Sequence, residues 1–141
     1  MPAKHELNSF LGELGTNIVI YELLQHDWNV FRNMGGQGYD LRVTRDDNLT
    51  DRLIEVKTTD PALKTGTAKN QLTAILSPAE YKTSTHCIFY VHGRSAFYII
   101  PKISYPTSRS ITLHLAKDGS LPKRGKYAPF KDKWEELYKS A

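Results

Sequence analysis

A chain of 141 residues, 40% hydrophobic and 24% charged, is sized for one folded domain and is too apolar for a disordered one. Its formal net charge of +4 permits an anionic partner such as nucleic acid without requiring one. The single cysteine, Cys87, excludes an internal disulfide and a cysteine-rich zinc site, and a reducing, cytoplasmic setting is expected.

The opening residues, MPAKHELNSFLGELG, lack the apolar run of a signal peptide. No stretch approaches the roughly 20 apolar residues of a membrane helix, so no membrane partner is expected. From Leu7 to Leu24, apolar residues fall at Leu7, Phe10, Leu11, Leu14, Ile18, Tyr21 and Leu24. Steps of three and four predict a helix with that stripe packed inward. Trp28–Phe31 reads as a short strand, and Asn33–Gly38 as a glycine-rich bend.

Tyr39–Val43 and Leu53–Lys57 both alternate apolar and polar residues around a polar turn, the pattern of a hairpin. Setting Leu41 opposite Val56 and Val43 opposite Ile54 places Asp40 opposite Lys57 and Arg42 opposite Glu55. Side chains alternate faces along a strand, so these four charged residues share the face away from the apolar ones. Asp40 and Glu55 then become diagonal neighbours, close enough to share a ligand.

The stretch 60–71 reads as a polar loop, and Leu72–Leu76 as a short strand. Ser77-Pro78-Ala79-Glu80 is a helix start, with Ser as N-cap, Pro at the first position and Glu three residues after the Ser. That helix is short, ending near Thr83 or Ser84. Strands are expected over 86–92 and 96–100, with a further one at Ile111–Leu115 and a final helix over Phe130–Tyr138. One domain results, with a core over about 7–103 and a basic extension over 104–141. The extension carries eight Lys/Arg against four Asp/Glu, which leaves 11 of each in the rest of the chain.

Asp40, Glu55 and Lys57 on one hairpin face suit hydrolysis of a phosphodiester. Carboxylates are hard ligands for Mg²⁺, and the Val56 carbonyl near the strand end adds a further oxygen. A metal lowers the pKa of a bound water, and a Lys ammonium stabilises charge on the phosphate. Each residue also has a plain structural reading. Asp40 could be a turn residue, and Glu55 and Lys57 could be a solvated strand face. The five histidines form no HExxH, Cys87 reads as a buried small hydrophobe, and Gly35-Gly36-Gln37-Gly38 leads into a strand rather than the helix of a dinucleotide site. Lys64 and Lys69 in the loop, with Lys123, Arg124 and Lys126 in the extension, are candidates for holding a nucleic-acid backbone.

Asp40 followed after a gap by Glu55-Val56-Lys57, with Gly12-Glu13-Leu14-Gly15 on the helix before them, resembles the signature of the PD-(D/E)XK nuclease superfamily. This is the fold of restriction endonucleases and archaeal Holliday junction resolvases. The resemblance covers about Leu11 to Ile100 and departs from the motif at Tyr39, where the pattern has proline. It implies an α/β, restriction endonuclease-like fold with a central mixed sheet flanked by helices. It further implies Asp40 and Glu55 as metal ligands, Glu13 as an auxiliary ligand and Lys57 as the catalytic lysine. The activity it implies is that of a Mg²⁺-dependent DNA endonuclease, with Mn²⁺ able to substitute. The enzyme would be a homodimer acting on double-stranded or branched DNA, of resolvase, restriction or homing type. Two alternatives stand beside it: an inactive nuclease-fold module that only binds DNA or protein, and a small-molecule hydrolase using the same carboxylates.

Overall fold

The computed structural model describes residues 4–36, 38–45, 50–64 and 70–139. Helix α1 (Lys4–Gln25) leads into strands β1 (Asn29–Arg32), β2 (Leu41–Thr44) and β3 (Asp51–Thr59). Strand β4 (Gln71–Ile75) and the short helix α2 (Pro78–Thr83) precede β5 (His86–Val91), β6 (Ala96–Pro101) and β7 (Ser110–His114). Among the described residues, no helix is long and apolar enough to cross a membrane.

The main sheet has the order β1-β2-β3-β5-β6. β3 and β5 run parallel, and the other neighbours are antiparallel. The crossover from β3 to β5 carries β4 and α2, while β4 pairs with β7 as a separate two-stranded ribbon. Two apolar layers follow. On one face Val19 and Leu23 of α1 pack with Leu41, Val43, Ile54 and Val56. On the other, Leu72, Ile111 and Leu113 of the ribbon, with Leu76 just beyond β4, cover Cys87, Phe89, Tyr98 and Ile100. β5 and β6, buried along their whole length between these layers, are accordingly apolar on both faces.

The hairpin forms with its faces as the alternation requires, but in a different register. Leu41 stands opposite Ile54, Arg42 opposite Leu53, and Val43 opposite Arg52. A slip of two residues leaves every side chain on its expected face, so the hydrophobic pattern cannot distinguish the two registers. Arg42 therefore meets Asp51 rather than Glu55, in an exposed ion pair at 3.0 Å.

In α1 it is the inward face that differs from expectation. Gly15, Val19 and Leu23 are buried, whereas Phe10, Leu14, Tyr21 and Leu24 stand in solvent. The smaller residues face the sheet because the helix approaches it closely. A Cβ built on Gly15 would lie 1.9 Å from Thr58 Oγ1 on β3. The helix expected over 130–138 is instead two 3₁₀ turns, Ala128–Phe130 and Trp134–Tyr138.

The C-terminal extension is bound into both layers. Tyr127 joins the ribbon side, while Trp134 and Leu137 join the α1 side. Trp134 stacks on His26 with ring centroids 4.8 Å apart, and Arg52 Nε donates to the Leu137 carbonyl at 2.9 Å.

Candidate active site

β2 begins one residue after Asp40, and β3 continues past that point. The backbone N–H of Asp40 donates to Ile54 O at 2.8 Å, and the backbone N–H of Val56 donates to Asp40 Oδ2, also at 2.8 Å. Asp40 thus uses its side chain where the β2–β3 ladder stops, and one carboxylate oxygen is fixed on the β3 edge. Because backbone groups alternate along a strand, the Val56 carbonyl points to the same edge as that of Ile54, beyond the last ladder pair.

The bend before Asp40 is held by Asn33. Its Nδ2 donates to Tyr39 O at 3.0 Å, and its Oδ1 accepts from Gly36 N at 3.0 Å. Gly38 has φ +95, and a Cβ there would meet Thr83 Cβ at 2.7 Å and Ala79 O at 3.0 Å. Only glycine lets this bend lie against α2. Gly38 lines one side of an open cavity of about 580 Å³ whose walls include Asp40, Glu55, Ser77 and Glu80.

Glu55 is 3% exposed. Burial, then a hydrogen bond with the Asp40 carboxyl, pushes its pKa up to about 10. Protonation of Glu55 keeps two negative charges from facing each other. A cation would serve the same purpose, and this carboxyl pair with the Val56 carbonyl is an all-oxygen donor set suited to a hard divalent ion. Among the described residues no group of three or more His, Cys, Asp or Glu is arranged to hold a metal.

Lys57 lies on the same face as Glu55, two residues along β3. Its ammonium meets Glu80 Oε1 at 3.0 Å. Burial works against that charge, but Glu80 and then Glu55 outweigh it and hold the Lys57 pKa above the ordinary value. Burial likewise opposes the Glu80 charge, but the Ser77 N–H and then Lys57 outweigh it and hold the Glu80 pKa low. The same Oε1 accepts the backbone N–H of Ser77 at 2.7 Å, while Ser77 Oγ accepts from Glu80 N at 3.1 Å. Glu80 therefore completes a capping box and neutralises Lys57 with one carboxylate. In the sequence Glu80 is legible only as the cap. Its second role needs the crossover that brings α2 beside β3.

The structure thus brings together Asp40, Glu55 and Lys57 and adds Glu80. Glu13 is exposed on α1 and has no hydrogen bond or ion pair to this cluster among the described residues. Lys64 is exposed just beyond the 3₁₀ turn Pro61–Leu63 that follows β3. Lys123, Arg124 and Lys126 are exposed beyond β7, and Lys126 Nζ lies 5.4 Å from the centroid of the Tyr127 ring. Lys69 lies outside the described residues.

No family model and no curated protein sequence matches this chain. Solved structures do match. A bacterial homing endonuclease, I-Ssp6803I, superposes with a TM-score of 0.67 at 18% identity, covering 92% of this chain and 89% of that one. Hjc, a Holliday junction resolvase from the archaeal hyperthermophile Archaeoglobus fulgidus, superposes with a TM-score of 0.59 at 16% identity, covering 89% of this chain and 93% of its own. The fold is restriction endonuclease-like, in agreement with the resemblance carried by Asp40, Glu55, Val56 and Lys57.

Proposed function

We propose that this chain, folded like a restriction endonuclease, is a metal-dependent endonuclease that hydrolyses DNA phosphodiester bonds. The observation that carries the reading is the pairing of the buried Glu55 carboxyl with Asp40 at the end of the β2–β3 ladder, with Lys57 on the same face. Asp40, Glu55 and the Val56 carbonyl would hold Mg²⁺, with Mn²⁺ as a substitute. Glu13 would join as an auxiliary ligand from outside the bonded cluster. When bound, the cation lowers the pKa of a water and offsets charge on the phosphate.

The protein's own groups do the rest. The Val56 N–H holds Asp40 by one carboxylate oxygen. Lys57, kept charged by Glu80, offers its ammonium to the negative charge that grows on the phosphate oxygens. Lys64, Lys69, Lys123, Arg124 and Lys126 would hold the backbone of double-stranded or branched DNA through phosphate contacts. Cutting both strands calls for two sites and hence a homodimer, and a reducing cytoplasm suits the lone buried Cys87.

The test is cleavage of plasmid, fork and four-way-junction DNA with Mg²⁺, Mn²⁺ or EDTA, by wild type and by Lys57→Ala. Metal-dependent cutting by wild type alone is expected, and the preferred substrate separates a resolvase from a restriction or homing enzyme. A wild-type protein that binds DNA but cuts none of these would be a nuclease-fold binding module.

A further inference from the structure

Strands β4 and β7 form a two-stranded ribbon that turns one side to solvent. Leu72 and Ala74 of β4 and Ile111 and Leu113 of β7 are buried, so alternation turns Gln71, Thr73 and Ile75 outward with Ser110, Thr112 and His114. The register sets these six in three cross-strand rows: Gln71 opposite His114, Thr73 opposite Thr112, and Ile75 opposite Ser110. Thr73 Oγ1 and Thr112 Oγ1 lie 3.0 Å apart. None of the six is a Lys, Arg, Asp or Glu, although exposed ribbons ordinarily carry such charges to discourage pairing with other chains. Five have hydrogen-bonding side chains, and the sixth, Ile75, is 63% exposed.

Charge lies beside the ribbon instead, and it is of one sign. Residues 105–127 hold five Lys/Arg and a single acidic residue, Asp118. Asp118 Oδ1 is occupied by the N–H and the hydroxyl of Ser120. Among the described residues, Lys123, Arg124 and Lys126 form no ion pair. Arg124 and Lys126 share a hollow of about 210 Å³ with Thr112 and His114. Lys123 and Arg124 line a second, of about 430 Å³, that also includes His114. The cations thus stand along the β7 side of a polar, uncharged face.

We propose that this face enters the major groove of duplex DNA and reads base edges there, with Lys123, Arg124 and Lys126 on the flanking phosphates. The inference rests on DNA as the substrate and adds how a sequence is chosen. The major groove admits a two-stranded ribbon. Gln71 suits the paired N6 and N7 of adenine, the hydroxyls of Thr73 and Thr112 can donate or accept, and Ile75 suits a thymine methyl. Five residues of strand span about 17 Å, the height of about five base pairs. Cys87 and Phe89, which the ribbon covers, are the β5 partners of Glu55 and Lys57, so ribbon and carboxylates share one face of the sheet. Ile75 is two residues from Ser77, on the wall of the carboxylate cavity. A lipid surface would want an apolar face where five of six side chains are polar.

Selection of bound duplexes from a randomised pool by the full chain in EDTA, then titration of the selected and a scrambled duplex, tests it. Wild type is expected to favour the selected duplex by at least about 100-fold, as two or more base contacts supply. Gln71→Ala and Thr73→Ala should each narrow that ratio by about 10-fold. Their melting temperatures should stay close to wild type, because both side chains are exposed. Lys123→Ala/Arg124→Ala should instead weaken both duplexes alike and flatten the salt dependence. A wild type that binds no duplex or binds all alike, or ribbon variants that keep the full ratio, would overturn the proposal. Sequence preference without Mg²⁺-dependent cutting would sink the endonuclease reading alone, and cutting of every duplex alike would sink the ribbon reading alone.

Discussion

The carboxylate of Asp40 takes the place of a backbone carbonyl: its Oδ2 accepts the Val56 N–H at 2.8 Å where the β2–β3 ladder has ended. The side chain therefore has a structural task separable from its charge. Asp40→Asn can keep the hydrogen bond through Oδ1, so it should fold with little loss of stability while cleavage drops by at least about 100-fold. Asp40→Ala leaves the Val56 N–H without this partner and should cost a further 1–3 kcal/mol or so in denaturant unfolding. Equal stability of the two variants would contradict this.

Lys57 and the start of α2 share one oxygen of Glu80. Glu80→Gln still offers that oxygen to both donors but removes the charge. Turnover should fall about 10-fold with KM nearly unchanged, because the ammonium is less firmly held. Ser77→Ala weakens the cap by about 1 kcal/mol but leaves Lys57 paired, so its turnover should stay close to wild type. A Ser77→Ala protein as impaired as Glu80→Gln would mean that α2 as a whole, not the ion pair, sets the rate.

Glu55 should trade stability for function. Its folded pKa, pushed up to about 10 by burial and then by Asp40, lies above the ordinary value of 4.5. The group favours the fold fully below pH 4.5, and that contribution is lost as the pH rises toward 10. At neutral pH without metal, Glu55→Gln should be more stable than wild type by about 1–3 kcal/mol while cutting nothing. Adding Mg²⁺ or Mn²⁺ should raise the melting temperature of wild type and leave Glu55→Gln unmoved. A metal-induced shift of equal size in both would remove Glu55 from the ligand set.

His86 gives the opposite slope. It is fully buried, with Nε2 3.2 Å from Glu136 O and Nδ1 2.9 Å from Thr85 Oγ1. Burial, with a smaller push from Arg52, lowers its pKa to about 4 from an ordinary 6.5. The unfolded chain binds the proton first, so stability present above pH 6.5 is lost as the pH falls toward 4, by up to about 3 kcal/mol. His86→Gln should flatten that part of the stability–pH curve. An unchanged slope would assign the acid sensitivity elsewhere.

Two glycines of α1 should respond in opposite directions to alanine. Gly12 has open space around a would-be Cβ, and Gly12→Ala should stabilise by about 0.5–1 kcal/mol through helix propensity. Gly15→Ala drives a methyl into Thr58 and should destabilise by about 1–3 kcal/mol. Thr58→Gly should recover most of that loss, since the clash is with this one side chain.

The sequence shows which residues line one face of the hairpin because alternation is a local property. Register is not local in that sense: a two-residue slip preserves the pattern, and the strands pair as Leu41–Ile54 rather than Leu41–Val56. The buried face of α1 departs from its apolar stripe for a related reason. Phe10, Leu14, Tyr21 and Leu24 carry more apolar surface than Gly15, Val19 and Leu23, yet the close approach to Thr58 admits only the slimmer side. Glu80 joined the site through the β3–β5 crossover, a tertiary relation that no spacing encodes. Asp40, Glu55 and Lys57 were legible because two short strands suffice to bring them together.

The extension also bears on the order in which the molecule can be finished. Tyr127 seals the ribbon layer, Trp134 and Leu137 seal the helix layer, and Glu136 O meets the buried ring of His86. Strands laid down earlier thus wait for residues 127–137 before either layer is closed to water. A growing chain halted before Trp134 would hold Asp40, Glu55 and Lys57 in sequence yet lack the packing that sets them rigidly. Whatever chemistry this site performs, the capacity should arrive only once residue 137 has been added.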